Sequence, residues 1–279
     1  LCLGVAWAGE DVSKKLVSVI DEPIPERSAL PPGAVTFGGR ISEDLADGYV
    51  DFLIPLWRGG NDVLFFNPRV LGDDDSRERY SFGMGWRHLF AEQEIIIGAN
   101  AYYDYIDSPY NNHYDQLGVG VEFLSRWVDA RFNYYLPDGE EHLVDRSDEF
   151  SLSNPYAAGN AIYQDFRREI RELYEGALEG FYAEAGFLVP GLDRYAELRF
   201  FGGYYNYEGP LGTDYDGWKA RAELKVLPAI TLDVEYYEDD RLMGGHWTGG
   251  ARVTVPFEIG NIFQGRNPFE GITDAFRPR

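Results

Sequence analysis

The sequence is poor in three features, and each shortage excludes a class of protein. Cys2 is the only cysteine, which excludes a disulfide framework and a thiolate metal site. No window of about 20 apolar residues occurs, which excludes a transmembrane helix. Lysine and arginine total 25 against 47 aspartates and glutamates, a net charge of −22. Because nucleic-acid binding needs a basic surface, we expect no nucleic-acid partner.

What the sequence does contain is regular alternation of apolar and polar residues, most clearly between Tyr80 and Leu136. Successive side chains of a β-strand point to opposite faces, so the alternation predicts strands with one apolar and one polar face. Ile96 and Tyr102 are exceptions, because they fall on the polar side of their strand. The apolar sets of the four strands in this window are Tyr80/Phe82/Met84/Trp86, Ile95/Ile97/Ala99/Ala101/Tyr103/Tyr105, Leu117/Val119/Val121/Phe123 and Val128/Ala130/Phe132/Tyr134.

Two features favour a membrane barrel over a soluble sandwich with the same alternation. The apolar faces end in aromatic residues, as the girdles of membrane strands do. The predicted connections also alternate between short turns and longer loops, as they do between the periplasmic and external ends of a barrel. The predicted girdle residues are Trp86, Tyr103, Tyr105, Trp127, Tyr134, Trp218 and Tyr236.

The predicted fold is therefore all-β, a twelve-stranded antiparallel transmembrane β-barrel over residues 34–257. Charged residues on the polar faces are too costly to place against lipid, so we expect them to line the lumen. Either they form a ladder of ion pairs that stiffens the barrel, or some of them hydrogen-bond a chain segment inside it. The predicted lumen-lining residues are Arg87, Asp104, Glu122, Asp129, Arg131, Glu184, Glu197, Arg199, Lys219, Arg221, Glu223, Lys225, Asp233 and Glu235.

The segments outside the strands have distinct compositions. Residues 1–8 resemble the end of a secretory signal peptide with a small-residue cleavage site. Residues 9–33 are polar and rich in proline, which predicts an extended periplasmic lead-in. The long external loop 137–173 has Ile162, Phe166, Ile170 and Leu173 at helical spacing, so it is expected to hold an amphipathic helix.

No catalytic or metal-binding motif emerges. His113 with Asp115 is a pair that in principle activates a water molecule, as is His246 with Asp239, but no nucleophile signature accompanies either pair. The acidic run 73–75 resembles part of a calcium loop but lacks the spacing of an EF-hand. We expect no enzymatic activity, no catalytic residue, no metal and no cofactor.

The strongest strand window carries the motifs of a known family. GANAYYDY at 98–105, LGVGVE at 117–122 and NYYLP at 133–137 follow one another in this order. Together they resemble the intimin/invasin-type inverse autotransporter β-domain, and the resemblance extends over roughly residues 35–257. It implies a bacterial outer-membrane barrel that anchors and exports a C-terminal passenger. Residues 258–279 would then be a linker that threads the pore.

The resemblance also implies partners, namely outer-membrane lipid, lipopolysaccharide and the outer-membrane insertion machinery. A surface or host ligand would be reached through the passenger. Two other functions are compatible with the same barrel. One is a stand-alone pore or channel plugged by its C-terminal tail, and the other is a structural barrel whose loops bind a neighbouring surface.

Overall fold

A computed structural model describes residues 33–42, 46–75, 77–192, 196–209, 213–239 and 244–258, together with Asn261 and Asn267. The predicted signal-peptide remnant and nearly all of the predicted lead-in and linker lie outside these ranges. Among the residues that the structure describes, no helix has the length and apolar character needed to cross a membrane.

Twelve of the strands form one closed antiparallel barrel, which confirms the predicted fold class. Around the barrel the order is β1-β16-β15-β14-β13-β12-β7-β6-β5-β4-β3-β2. The strands are β1 (Gly33–Ser42), β2 (Ala46–Gly59), β3 (Asp62–Asp73), β4 (Glu78–Phe90), β5 (Ile95–Asp107), β6 (His113–Ser125), β7 (Val128–Pro137), β8 (Glu141–Leu152), β9 (Tyr156–Ala158), β10 (Ala161–Tyr163), β11 (Phe166–Gly176), β12 (Glu179–Leu188), β13 (Glu197–Gly209), β14 (Thr213–Leu227), β15 (Ile230–Asp239) and β16 (Gly244–Phe257). A short 3₁₀ turn, Ala91–Gln93, separates β4 from β5.

The barrel closes where β1 pairs with β16, with Gly33 opposite Phe257. The first strand therefore begins, and the last strand ends, at the same end of the barrel. Tight connections such as residues 60–61, 126–127 and 228–229 lie at this end. We call it the periplasmic end, because membrane barrels place their tight turns there, and we call the opposite end the external end.

The predicted series of long external loops is only partly present. Residues 208–217 are rich in Asp and Gly and were expected to form one of these loops, but β13 continues to Gly209 and β14 begins at Thr213, so most of them extend the strands instead. The β3–β4 connection is shortened in the same way, because β3 continues to Asp73 and β4 begins at Glu78. Among the strands that the structure describes, β7 and β12 are the neighbours joined by a long connection, residues 138–178.

The predicted helix in loop 137–173 is wrong, because this segment is a β-hairpin. β8 pairs with β11, and β9 pairs with β10 at the tip. Ile162, Phe166 and Ile170 are four residues apart, a spacing that fits a strand face as well as a helix face. Cross-strand packing decides between the two, since the Phe150 and Phe166 rings stack with centroids 5.6 Å apart.

Candidate functional site: the barrel interior

The outer wall of the barrel is apolar and carries two aromatic bands. Trp86 and Trp127 lie near the periplasmic end, with 41% and 48% of their surfaces exposed. The other predicted girdle residues, Tyr103, Tyr105, Tyr134, Trp218 and Tyr236, lie toward the external end.

Hydroxyl groups of the external band point toward acidic side chains. Tyr103 donates a hydrogen bond to Asp115 at 2.6 Å, and Tyr134 donates one to Glu179 at 2.8 Å. Each tyrosine therefore places its ring on the apolar wall and its hydroxyl beside a carboxylate, as an interfacial residue requires.

The inner wall at mid-height is a network of ion pairs centred on Arg221. Its side chain is fully buried, and its guanidinium contacts Glu184 on β12 at 2.6 Å and Glu223 at 2.8 Å. Lys219 contacts Glu235 at 3.1 Å. Among the described residues, the ion pairs of this network join four basic and four acidic side chains, whose formal charges balance: Arg131, Lys219, Arg221, Arg252, Glu184, Glu223, Asp233 and Glu235.

The remaining predicted lumen residues lie elsewhere on the same wall. Arg87 pairs with Glu122, and Arg199 contacts Asp129 at 2.8 Å. Asp104 is buried, while Glu197 and Lys225 are register partners on β13 and β14. The structure thus distributes the predicted residues over separate groups and does not gather them into one site.

Inward-facing glycines make room for these pairs. Gly98 on β5 is the register partner of Arg87 on one side and of Glu122 on the other. The two charged side chains meet above it. A Cβ atom at this position would lie 2.8 Å from Cγ of Glu122, so only glycine fits the arrangement without displacing the glutamate.

Aromatic rings inside the lumen are a feature that alternation alone did not predict. The guanidinium of Arg221 lies 3.8 Å from the centroid of the Phe201 ring, and that of Arg87 lies 4.8 Å from the Phe65 ring. Such contacts stabilise a buried cation through the negative face of the ring. The signal available in the sequence was an aromatic residue on the polar side of a strand, as at Tyr102.

A second missed feature is a pair of apolar clusters inside the periplasmic end, which we call the collar: Leu53, Val63 and Phe65 in one cluster, and Leu89, Ile96 and Leu124 in the other. Leu89, Ile96 and Leu124 are direct register partners on β4, β5 and β6. All six side chains face inward, with at most 4% of their surface exposed. Runs such as Ile95–Ile97, where both faces of a strand are apolar, were the available signal.

The external half of the lumen holds a cavity of about 660 Å³. One side is lined by a tyrosine cluster in which the Tyr205 and Tyr207 rings stack 5.8 Å apart. Arg69 and Asp104 also line the cavity. The lumen therefore has three layers from the periplasmic end outward, namely the collar, the ion-pair network and the tyrosine-lined cavity.

Comparison with known proteins identifies this arrangement. The family model described as "Inverse autotransporter, beta-domain" matches residues 35–264. The chain belongs to the inverse autotransporter β-domain family. The inverse autotransporter motifs and the closed barrel together place the protein in the bacterial outer membrane, where the barrel is an anchor.

Solved structures similar to this inverse autotransporter β-domain are also membrane proteins. One, from a study of the in-meso crystallization of membrane proteins, has a TM-score of 0.59 at 14% identity, covering 81% of this chain and 84% of its own. An outer-membrane channel from Pseudomonas putida F1 has a TM-score of 0.50 at 12% identity, covering 85% and 98%. At these identities the likeness shows the fold alone. No curated protein sequence matches the chain.

Of the two histidine pairs considered from sequence, His113 with Asp115 is not formed, and His246 with Asp239 cannot be assessed because the Asp239 side chain lies outside the described residues. His113 contacts Asp107, while Asp115 accepts the Tyr103 hydroxyl. His246 stacks on Tyr237 at 5.6 Å. Across the described ranges, no group of three or more His, Cys, Asp or Glu side chains is arranged to hold a metal ion.

The acidic run 73–75 at the β3–β4 connection makes its hydrogen bonds within its own turn. Asp73 accepts hydrogen bonds from the backbone amides of Asp75 and Arg77. The Arg77 guanidinium also contacts the Asp73 carboxylate at 2.7 Å. The Asp73 carboxylate is therefore engaged within its own turn.

Proposed function

We propose that the barrel exports a C-terminal passenger, carried by residues 258–279 as a linker through the lumen, while anchoring the protein in the outer membrane. The observation that supports this most directly is the position of β16. It ends at Phe257 on the periplasmic side, beside the start of β1. A chain that continues from this point enters the lumen of the same barrel to reach the outside.

The interior suits a polypeptide in transit. An extended backbone in the lumen needs hydrogen-bond partners for its N–H and C=O groups. The cavity of the external half is lined by Arg69, Asp104 and the tyrosine cluster, which bring polar groups to such a segment. Because the charges of the ion-pair network balance, the wall adds no large net field. The proposed role needs neither catalysis nor a cofactor.

Barrel size supports the same conclusion. About eight strands close a lumen that side chains fill, whereas sixteen or more leave an aqueous channel. Twelve strands lie between these limits, so the bore suits one polypeptide segment. The cavity of about 660 Å³ in the external half provides space for such a segment on its way out.

The test is the accessibility of a protease-sensitive tag fused after Arg279 in intact cells. We expect cleavage by added protease. One control carries the tag at the hairpin tip between Gly159 and Asn160, where cleavage is expected. A second carries it in the turn between Gly60 and Asn61, where protection is expected. A protected C-terminal tag with both controls behaving as expected would refute export and favour a plugged pore.

The same barrel has an outer wall suited to lipid, and we propose outer-membrane lipid and lipopolysaccharide as its surroundings. The exposed apolar residues of the outer wall, such as Val121 at 55%, support this. We also propose, from the family, assembly by the outer-membrane insertion machinery.

A further inference from the structure

The external hairpin of β8 and β11 has one apolar face that is open to solvent. Register partners of a two-stranded ribbon share a face, and the next residue along each strand points to the other face. The apolar side chains of one face, which we call the hairpin face, are Phe150, Leu152, Phe166 and Ile170. Between 45% and 70% of each of these side chains is exposed.

The opposite face of the ribbon is polar. Its side chains are Ser147, Glu149, Ser151, Arg167, Glu169 and Arg171. The Glu169 carboxylate lies 2.7 Å from the Arg171 guanidinium and 3.6 Å from that of Arg167. A ribbon with water on both sides gains nothing from separating its side chains in this way. One apolar and one polar face are typical of strands whose apolar side is packed against another element, and a hairpin by itself is only marginally stable.

We propose that the hairpin face binds the same face of a second copy of this chain, related by a two-fold axis along the membrane normal. Two copies in one membrane have the same orientation to it, so their hairpins leave the external end at the same height. An isologous interface brings the same patch of both copies together. A two-fold axis between two facing ribbons also exchanges left and right, so β8 of one copy lies across from β11 of the other.

The upper part of the hairpin face is complementary to itself under this symmetry. Each β8 residue faces, on the second copy, the residue that is its register partner within its own ribbon. Leu152 then faces Phe166 of the second copy, which is an apolar contact. Phe150 faces Arg168 of the second copy, which is a cation–π contact.

Charges lower on the ribbon match in the same way. The Arg146 guanidinium contacts Glu172 of its own chain at 3.4 Å. The two-fold axis places a second such pair across from the first with the signs reversed, so each arginine lies between two glutamates. Complementary charges of this kind fix the register of an interface. Asp148 faces Ile170 of the second copy, and its carboxylate is held by Arg168 of its own chain at 2.8 Å.

Two other occupants suit the hairpin face less well. A lipid surface would place Arg168 and Asp148, which lie among the apolar side chains, against hydrocarbon at a considerable cost. An unrelated protein would need an apolar group and an acidic group at the relative positions of Phe166 and Glu172. A second copy supplies both groups with the required spacing. The pairing uses a surface that export does not use, so the two proposals fail independently.

Charge reversal in mixed copies tests the pairing. Full chains labelled at the C-terminus with a donor or an acceptor are inserted into the same lipid vesicles, and association is measured by energy transfer. We expect transfer for the parent, and an at least several-fold loss for Arg146→Glu or for Glu172→Arg alone. A mixture of Arg146→Glu chains with Glu172→Arg chains should regain the transfer, because opposite charges then face each other between copies.

The mixture separates the interface from a merely structural role of the charges. Each single variant has lost the ion pair within its own chain, so only contact between copies explains recovery. Arg167→Glu reverses a charge on the polar face and should associate like the parent. Heat-modifiable migration on a gel shows that each barrel has folded. Absence of transfer for the folded parent, or absence of recovery in the mixture, would overturn the proposal.

Cysteine cross-linking identifies the face directly, with Cys2 replaced by serine in every chain. We expect an oxidant to join Leu152→Cys of one tagged chain to Phe166→Cys of a chain with a different tag. The control pair, Ser151→Cys with Arg167→Cys, lies on the polar face and should stay reduced. Equal cross-linking of the two pairs would contradict the hairpin face as the interface.

Discussion

Tyr102 on β5 donates its hydroxyl to the side-chain oxygen of Asn67 on β3 at 2.5 Å, across the intervening strand β4. The contact passes over Gly83, which is the register partner of both residues. The Asn133 and Asn100 side chains both extend over Gly120 from the strands on either side of it. Inward glycines of this barrel thus let side chains from the strands on either side meet.

The first prediction concerns this glycine. In Gly83→Ala, the added methyl group would lie 2.6 Å from Cζ of Tyr102, so the ring must move. We expect a loss of about 1–3 kcal/mol in the free energy of unfolding, the usual cost of overpacking. Urea unfolding in lipid or detergent measures it.

Gly118→Ala is the matched control, because its methyl group would find ordinary contacts at 3.5 Å with Tyr135. The variant Gly83→Ala/Tyr102→Ala should show coupling, since the smaller side chain removes the clash. Equal losses at Gly83 and Gly118 would contradict the explanation.

The second prediction concerns the ion-pair network. Arg221→Met removes the charge that lies between Glu184 and Glu223, and both carboxylates stay buried. We expect a loss of about 3–5 kcal/mol, the usual cost of removing one member of a buried ion pair, while Glu184 keeps its contact with Lys219 and Glu223 keeps its contact with Arg252. The midpoint and slope of urea unfolding give the change.

Arg146→Met on the hairpin is the comparison, since Arg146 contacts Glu172 at 3.4 Å with 51% of its side chain exposed. There we expect about 0–1 kcal/mol. If the two arginine variants lose the same stability, burial is not what gives Arg221 its importance.

The third prediction tests which face of β6 contacts lipid. Val119 is 41% exposed at the middle of this strand. Val119→Arg should cost about 2–4 kcal/mol in a bilayer, as expected for a cation near the midplane, whereas Leu136→Arg near the external end should cost about 0–1 kcal/mol. Unfolding in lipid vesicles compares them, and a loss at position 119 no larger than at position 136 would place this residue away from the hydrocarbon core.

The fourth prediction concerns pH and the external hairpin. A hydrogen bond from the Arg168 guanidinium lowers the pKa of Asp148 below its usual value. The stabilisation is therefore complete above the ordinary aspartate pKa, and it is lost as the pH falls through the lowered pKa of the folded hairpin. At neutral pH the pair is fully formed.

An NMR titration of the Asp148 carboxyl carbon measures this pKa directly. We expect Arg168→Gln to return the midpoint to the range of an ordinary aspartate. The matched variant Arg167→Gln, on the neighbouring position of β11, should leave it lowered. A midpoint that does not respond to Arg168→Gln would show that another group lowers the pKa.

How much of the interior was predictable depended on the layer. The inward direction of the mid-height charges was predictable from the alternation, because a charged side chain on a membrane strand is destabilising on the lipid face. The inward direction of Leu89 and Ile96 was not predictable, since an apolar side chain is compatible with either face of the strand. The hairpin of β8 and β11 could not be predicted either, because residues four apart lie on one face in both a helix and a strand.

The sequence by itself determined the strands and their two faces, because both follow from a local period of two repeated along the chain. The aromatic ends of the apolar faces and the alternating lengths of the connections then favoured a membrane barrel. Only the tertiary structure decided which side chains meet. Arg87 and Glu122 are 35 residues apart, and they pair because register places both beside Gly98. Register is a relation between strands, set by packing and hydrogen bonding over the whole barrel, and no local pattern specifies it.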